Sequence, residues 1–424
     1  MHILLLGSGG REHAFAYKLG ESKHCTQLFI APGNPGTAEL GTNVSIGVTD
    51  FPAIKSFVLQ KNIELIVVGP EVPLVEGIYD FFANDEALKQ IPVFGPSKTG
   101  AQLEGSKAFS KAFMMRHSIP TAAYAEFTAE NIHDGLTYIA KHTTPIVLKA
   151  DGLAAGKGVL ICTTVEEAQA EFKEMLGGKF GDASTKVVVE EFMDGIEFSV
   201  FVLTDGIDYK ILPTAKDYKR IGEGDTGLNT GGMGAVSPPP FVTEEMLQIT
   251  EETIIKPTID GLNKDNIIYK GIVYVGLMYL KTGELKVVEY NCRMGDPETE
   301  AVFPRIKSDL VEMILSTMQG KLASVQLEID ERAATTIILA SGGYPEHFEK
   351  DKLISGIENV KDAVVLQCGT KLDTDGKLRT NGGRVLAVTA LHTDWKEALK
   401  LANSNAAIVQ FENKYYRRDI GFDL

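Results

Sequence analysis

The stretch that decides the fold is Lys149-Ala150-Asp151-Gly152-Leu153-Ala154-Ala155-Gly156-Lys157-Gly158, near the middle of a 424-residue chain. Apolar runs on both sides of the glycines predict two strands, so that the stretch forms a hairpin. It is not a P-loop, because its glycine spacing is too short and a strand follows where a helix would be required. Backbone N–H groups of such a turn, together with Lys157, can face the phosphates of a ligand. The alternative is a surface hairpin with a solvated lysine.

The segments that follow extend this β-rich region. A capping box of Thr164 and Glu167 predicts a helix directly after the hairpin. Later runs of alternating apolar residues predict two further strand pairs, each joined by a glycine turn. Residues 214–240 contain Lys219, Arg220 and many glycines without periodicity, which is typical of a functional segment in an enzyme.

Before the hairpin, the first hundred residues alternate between predicted strands and helices. Each strand ends in a glycine or proline turn, a pattern that predicts a parallel sheet with ligands outside the carboxyl ends of its strands. The first turn, Gly7-Ser8-Gly9-Gly10, is a weak indication of dinucleotide binding, because Glu12 stands where the third glycine is required. The turn can still hold an anion at the start of a helix.

A second polar motif follows the last predicted strand pair. Glu289 and Asn291 are two residues apart in a strand and therefore project from one face. A carboxylate beside an amide oxygen suits Mg²⁺, which binds hard oxygen ligands. A solvated strand face is the alternative, but Arg293 and the run Gly295-Asp296-Pro297-Glu298 come directly afterwards, and core packing does not require them.

Composition excludes several classes of protein. The 42 basic and 57 acidic residues give a net charge of −15, which argues against non-specific binding of nucleic acid. The four cysteines are scattered without a CxxC pair, which favours a reduced, cytoplasmic compartment over a disulfide framework or a zinc site. No apolar run is long enough to span a membrane, and Met1 to Leu6 does not resemble a signal peptide.

These motifs, taken in order, resemble the ATP-grasp superfamily and, within it, the glycinamide ribonucleotide synthetase family. The matching stretches run from residue 9 to residue 384 and are Gly9-Gly10-Arg11-Glu12-His13, Ala31-Pro32-Gly33-Asn34, Val68-Gly69-Pro70-Glu71, Lys149 to Gly158, Asn229-Thr230-Gly231-Gly232-Met233-Gly234, Asn291 to Thr299 and Thr380-Asn381-Gly382-Gly383-Arg384. The resemblance implies an α/β protein with an ATP-grasp fold, an N-terminal parallel-sheet domain and a small C-terminal domain. We expect domains at 1–120, 121–190 (a small lid lobe), 191–328 (a central lobe with the metal site) and 329–424.

The resemblance also implies roles for individual residues. ATP would be held by Lys107, Lys149, Gly156, Gly158, Glu190, Glu191, Phe192, Met193, Glu197, Arg220 and Asn229. Glu289 and Asn291 would hold Mg²⁺ (or Mn²⁺), and Lys157 and Arg293 would act in catalysis. Many members of the superfamily carry a further acidic ligand near the position of Leu277, so the number of metal ions stays open.

The implied activity is ATP-dependent joining of glycine to 5-phosphoribosylamine in purine biosynthesis, by a monomer or weak dimer. We expect the amine substrate at Gly9, Gly10 and Arg11, with its phosphate on Lys371 and Arg384. Two alternatives stay open at this point. One is an ATP-grasp ligase for another acid or amine, and the other is a nucleotide-binding regulatory protein without chemistry.

Overall fold

The computed structural model describes residues 1–154 and 157–424, and its first sheet has five parallel strands in the order β3-β2-β1-β4-β5. This region contains β1 (His2–Gly7), α1 (Gly10–Gly20), β2 (Gln27–Pro32), β3 (Thr42–Asn43), α2 (Phe51–Lys61), β4 (Leu65–Val68), α3 (Glu71–Glu76), α4 (Ile78–Ala83), β5 (Val93–Phe94), α5 (Lys98–Gly105) and α6 (Lys107–Arg116). Leu4 and Leu6 of β1 enter one core cluster, whereas Ile3 and Leu5 enter another. Burial on both faces explains why this strand is apolar throughout, and the predicted parallel sheet is confirmed.

The glycine-rich hairpin belongs to a four-stranded antiparallel sheet in the order β6-β9-β7-β8. Its elements are β6 (Tyr124–Thr128), α7 (Ile132–Ala140), β7 (Ile146–Ala150), β8 (Val159–Cys162), α8 (Val165–Glu174) and β9 (Lys186–Glu191). Thr164 caps α8 as predicted, by accepting the Glu167 N–H at 3.1 Å. The Glu167 carboxylate accepts the Thr163 N–H at 2.7 Å, one residue earlier than the capping box requires.

A second antiparallel sheet, in the order β11-β10-β16-β17, forms the centre of the molecule. The elements from residue 195 to residue 318 are β10 (Gly195–Thr204), β11 (Tyr209–Ile211), β12 (Lys216–Asp217), β13 (Arg220–Gly222), β14 (Thr226–Asn229), β15 (Gly234–Ser237), α9 (Glu244–Thr250), α10 (Lys256–Lys264), β16 (Gly271–Leu280), β17 (Leu285–Asn291), α11 (Glu298–Val302) and α12 (Leu310–Met318). The aperiodic segment 214–240 thus contains four short strands, of which β13 and β14 form a separate hairpin.

The last sheet has the order β12-β15-β18-β22-β19, and it combines strands from before and after residue 329. Its C-terminal elements are β18 (Ala333–Ala340), β19 (Ala363–Gln367), β20 (Thr370–Leu372), β21 (Leu378–Thr380), β22 (Arg384–His392) and α13 (Trp395–Ile408). No helix in the described ranges is both long and apolar enough to cross a bilayer.

His13 joins the first sheet to the last. Its Nδ1 accepts the Gln367 N–H at 2.8 Å, and the Asn34 side chain donates to the Gln367 carbonyl at 2.8 Å. Burial lowers the pKa of His13 to about 4, so that the ring is neutral and can accept this bond. The end of β19 is therefore held against α1 and the turn that follows β2.

Candidate active site

Five of the predicted site residues line one cleft, although they come from four different elements. Lys107 lies on α6, Lys149 on β7, Glu190 on β9, and Glu289 and Asn291 on β17. The cleft lies where helices α5 and α6 meet the β-rich sheet and the central sheet.

The glycine-rich turn is attached to the start of α6. The Asp151 carboxylate accepts hydrogen bonds from Ser106 Oγ at 2.9 Å and from the Ala108 N–H at 2.8 Å. The Asp151 carbonyl accepts the Lys107 N–H at 3.0 Å. Because Asp151 directly follows the strand that carries Lys149, this junction fixes the backbones of both lysines relative to each other.

The contacts of the remaining residues of the turn, Gly156 to Gly158, do not test their predicted roles. Gly156 lies outside the described residues. Lys157 is exposed, and its N–H donates to the Ala154 carbonyl at 2.9 Å. Gly158 is buried, and a Cβ added there would lie 2.8 Å from the Ala154 Cβ. A role of Lys157 at the phosphates therefore stays a prediction.

Glu190 is buried between two lysines. Its Oε2 is 2.8 Å from Lys149 Nζ, and its Oε1 is 3.2 Å from Lys111 Nζ. Burial favours the neutral amine of Lys149, but Glu190 and, further away, Glu289 raise the pKa of Lys149, which stays charged. Lys111 was not among the predicted site residues. Its place four residues after Lys107 on one helix face was the available signal.

The segment from Glu190 to Met193, at the end of β9, was expected to hold ATP. The Glu191 N–H donates to the Ala123 carbonyl at 3.0 Å, and its carboxylate lies 2.9 Å from Lys286 Nζ. Phe192 is 39% exposed, whereas Met193 is buried. The side chain of Glu191 thus tethers this edge of the cleft to β17.

Glu197, one of the predicted ATP ligands, is bonded to Lys219, which was not among the predicted site residues. Lys219 Nζ donates to Glu197 Oε1 at 2.7 Å and to Asp217 Oδ1 at 2.9 Å. Although burial opposes it, the carboxylates of Asp217, Glu197 and Glu289 raise the pKa of Lys219 well above its ordinary value. Lys219 is therefore a cation held in place by two carboxylates, and it also interacts electrostatically with the predicted metal ligand Glu289.

Arg220 and Asn229 pair with each other across the hairpin of β13 and β14. Residues near the C-terminus bond to this hairpin. Arg417 is fully buried and donates to the Arg220 carbonyl at 3.1 Å and to Asp225 Oδ1 at 3.0 Å. The Asp419 carboxylate accepts the Gly224 N–H at 2.7 Å. No local sequence signal predicts these contacts, because about 190 residues separate the partners.

The residues of the predicted metal site present oxygen ligands. The surroundings of Asn291 orient its amide nitrogen to donate to Glu104 Oε1 at 3.1 Å and to the Tyr290 carbonyl at 3.1 Å. The amide oxygen is then the atom left for a cation, beside Glu289. Leu277 is fully buried in the core and cannot serve as the additional ligand. Glu104 positions Asn291, and it too was missed.

Arg293, which follows β17, joins the central sheet to helices α3 and α5 of the N-terminal region. It donates to Glu104 Oε1 at 2.6 Å, to Glu71 Oε2 at 3.3 Å and to the Met294 carbonyl at 3.2 Å. Burial raises the pKa of Glu104. Arg293, followed by Arg11, lowers the pKa of Glu71 despite its burial. Three of the five N–H donors of Arg293 are thus used in positioning it.

The first glycine turn lies next to these groups. The Gly9 N–H, expected to bind an anion, instead donates to Glu12 Oε2 at 2.7 Å, because the residue in place of the third glycine supplies its own carboxylate. Arg11 donates to Glu12 Oε1 at 2.6 Å and to the Met294 carbonyl at 3.2 Å. A Cβ added to Gly10 would lie 2.4 Å from Glu300 Oε1, so this glycine permits close packing of α1.

The two predicted phosphate ligands, Arg384 and Lys371, bond to different parts of the protein. Arg384 NH1 donates to the carbonyls of Gly231 at 2.7 Å and Asp296 at 3.0 Å, and lies 2.9 Å from Asp296 Oδ1 without alignment for a hydrogen bond. Lys371 is half-exposed and pairs with Asp351 at 2.5 Å. Arg384 thus lies with the segment that carries Arg293, whereas Lys371 is near the surface.

Comparison with known proteins agrees with this arrangement. The chain matches the phosphoribosylglycinamide synthetase N domain at residues 1–104, the ATP-grasp (A) domain of the same family at 105–299 and its C domain at 334–423. A biotin carboxylase domain of a Hydrogenobacter thermophilus 2-oxoglutarate carboxylase shares the fold, with a TM-score of 0.75, 16% identity, and coverage of 100% of this chain and 93% of that one.

Relatives with higher identity extend over the whole chain. A phosphoribosylamine–glycine ligase of Haemophilus influenzae is 48% identical over 100% of this chain and 98% of its own length, and that of Escherichia coli K12 is 47% identical with the same coverage. The crystal structure of a phosphoribosylamine–glycine ligase from Thermotoga maritima superposes with a TM-score of 0.84 and 35% identity, covering 99% of this chain and 100% of that one. The predicted family and fold class are confirmed: the chain belongs to the phosphoribosylglycinamide synthetase family of ATP-grasp ligases.

Proposed function

We propose that the chain joins glycine to 5-phosphoribosylamine in purine biosynthesis, with glycyl phosphate as intermediate and glycinamide ribonucleotide, ADP and phosphate as products. The observation that carries this proposal is the convergence of Lys107, Lys149, Glu289 and Asn291 on one cleft. Full-length relatives named phosphoribosylamine–glycine ligase support the choice of substrates.

In the first step the glycine carboxylate attacks the γ-phosphate of ATP. Phosphoryl transfer depends on positioning and charge neutralisation more than on covalent catalysis. Lys107 and Lys149 would neutralise the phosphates, whereas the charge of Lys219 is paired with Glu197 and Asp217. Glu289 and Asn291 would hold Mg²⁺ (or Mn²⁺), which supplies further neutralisation of phosphate charge when bound. Their oxygen ligands fit such an ion.

Arg293 would orient the glycine carboxylate. Its ion pairs with Glu71 and Glu104 fix the plane of the guanidinium, and two of its five N–H donors are left for a ligand. Donors held rigidly before the reaction stabilise developing negative charge without reorganisation. This arrangement suits both the bound carboxylate and the oxyanion of the acyl transfer.

The amine of phosphoribosylamine would then displace phosphate from glycyl phosphate. Arg11 lies beside Arg293, on the side of the N-terminal sheet, where this substrate would approach. Arg384 uses the two N–H groups of NH1 within the protein, and its other three donors have no hydrogen-bond partner among the described residues, so they are available for a phosphate. Lys371 would have to exchange Asp351 for that phosphate.

The test is ADP formation with each substrate omitted in turn. The proposed ligase releases ADP at a substantial rate only with glycine, ATP and freshly prepared phosphoribosylamine together. ADP release with bicarbonate or formate in place of glycine would indicate another carboxylate ligase. If ATP binds but no combination of substrates releases ADP, the chain is a nucleotide-binding regulatory protein and the proposal is wrong.

A further inference from the structure

One buried carboxylate in the cleft is shared by two lysines, of which only Lys149 was expected at the nucleotide. Glu190 receives Lys149 on Oε2 at 2.8 Å and Lys111 on Oε1 at 3.2 Å. The three side chains are 6% exposed for Lys149, 3% for Lys111 and 2% for Glu190. Charges so well shielded from water interact strongly, and the cluster carries a net charge of +1.

Lys111 is held in place by the protein itself. Its Nζ donates to Thr121 Oγ1 at 2.8 Å and to the Ala122 carbonyl at 3.3 Å, in addition to its ion pair with Glu190. Thr121 in turn donates to the Val287 carbonyl at 2.8 Å. Two of the three N–H donors of this ammonium are used by Thr121 and Ala122, and the group faces Glu190 as an ion pair, so the protein itself fixes the position of Lys111.

Lys149 and Lys111 differ in their hydrogen-bond partners. Lys149 Nζ donates to the Val288 carbonyl at 3.2 Å, next to the predicted metal ligand Glu289, and both Lys149 and Glu289 line the cleft. Glu190 Oε1 is buried and has no well-aligned donor among the described residues. Burial lowers the pKa of Lys111 to about 8 against the influence of Glu190, so it is still mainly charged at pH 7.

We propose that Lys111 is a positioning residue for nucleotide binding: by neutralising Glu190, it leaves the charge of Lys149 for the phosphates of ATP. Without Lys111, Glu190 and Lys149 would cancel each other and the cluster would be neutral. The inference rests on the proposed ATP site in this cleft. It predicts that Lys111 affects ligands in proportion to their phosphate charge, whereas a purely structural lysine would affect all nucleotides alike.

The experiment measures Kd for ATP and for adenosine by calorimetry on the full chain, with circular dichroism to establish folding. Lys111→Met removes the charge and keeps an unbranched side chain, and Lys111→Arg keeps the charge. For Lys111→Met we expect Kd for ATP to rise about 10- to 30-fold. This is the effect of losing the Coulomb attraction of one charge that lies roughly 10 Å from the phosphates at an effective dielectric constant near 20. Kd for adenosine should change much less, and Lys111→Arg should retain most of the ATP affinity.

The double variant Lys111→Met/Glu190→Gln gives the sharper test, because it restores the net charge of +1. It should bind ATP more tightly than Lys111→Met alone. If Lys111→Met does not fold, the double variant is compared with Glu190→Gln, from which it differs only at Lys111, and should bind ATP about 10-fold more weakly. Equal ATP affinity in either comparison, or equal losses for ATP and adenosine, would overturn the inference. Wild-type protein that fails to bind ATP would instead refute the proposed function.

Discussion

Replacing Arg417 by methionine is expected to release the hairpin of β13 and β14, which carries Arg220 and Asn229. Arg417 is fully buried, and its Nε and NH2 each lie 2.9 Å from one oxygen of Asp419. Its NH1 bonds the hairpin itself at the Arg220 carbonyl and at Asp225. The substitution therefore removes the centre of a network that joins the C-terminal residues to the hairpin.

The expected loss follows from the burial of the partners. Removing one member of a buried ion pair costs about 3–5 kcal/mol, because the other charge is left unpaired. Asp419 is 20% exposed and Asp225 is 50% exposed, so both regain water and the lower end of the range applies. A loss of about 3 kcal/mol in the free energy of local opening corresponds to roughly 100-fold faster amide exchange in the hairpin.

Hydrogen exchange followed by mass spectrometry measures this directly in peptides that cover residues 220–229. The matched control is Asp225→Asn, where a half-exposed ion pair is worth at most about 1 kcal/mol and exchange should accelerate no more than about 5-fold. Exchange in β16 should not change in either variant. If the hairpin of Arg417→Met exchanges as in wild type while α13 exchanges faster, Arg417 supports only the C-terminal core and the reasoning is refuted.

Three further predictions concern two residues of the site and the His13 contact that joins the first sheet to the last. Glu289→Ala should lower kcat for ADP release by about 100-fold or more in a folded protein, since one preorganised electrostatic contact is worth ~3–4 kcal/mol; wild-type turnover at saturating Mg²⁺ would remove Glu289 from the site. Arg384→Ala should raise KM for phosphoribosylamine about 10- to 100-fold and change KM for ATP and glycine little. Equal losses for all three substrates would show that Arg384 serves the carbonyls of Gly231 and Asp296 instead. His13 has a folded pKa of about 4, below its ordinary value of 6.5, so its contribution to stability is complete above pH 6.5 and is lost as the pH falls towards 4. Wild type should lose about 2 kcal/mol more than His13→Asn between pH 7 and pH 5 in urea unfolding, and parallel pH profiles would contradict this.

Local sequence patterns were sufficient for the parallel sheet, the glycine-rich hairpin and the pair Glu289 and Asn291. Each depends on residues a few positions apart: the two faces of β1 alternate with period two, and the predicted metal ligands share one face of β17 for the same reason. The helix cap at Thr164 is equally local. Such features are fixed by short-range geometry, which the order of residues determines.

Only the tertiary structure decided which charges share a partner. Lys111, Lys149 and Glu190 come from three elements, and their pairing depends on how those elements pack. The same holds for Arg417 on the β13–β14 hairpin. The sequence by itself indicated the family and predicted five of the residues that line the cleft. It could not indicate which lysines and arginines are buried, because such a residue has the same local pattern whether it is solvated or buried. The buried ion pairs that position those residues depend on contacts over long separations, because desolvation and Coulomb attraction act through space and not along the chain.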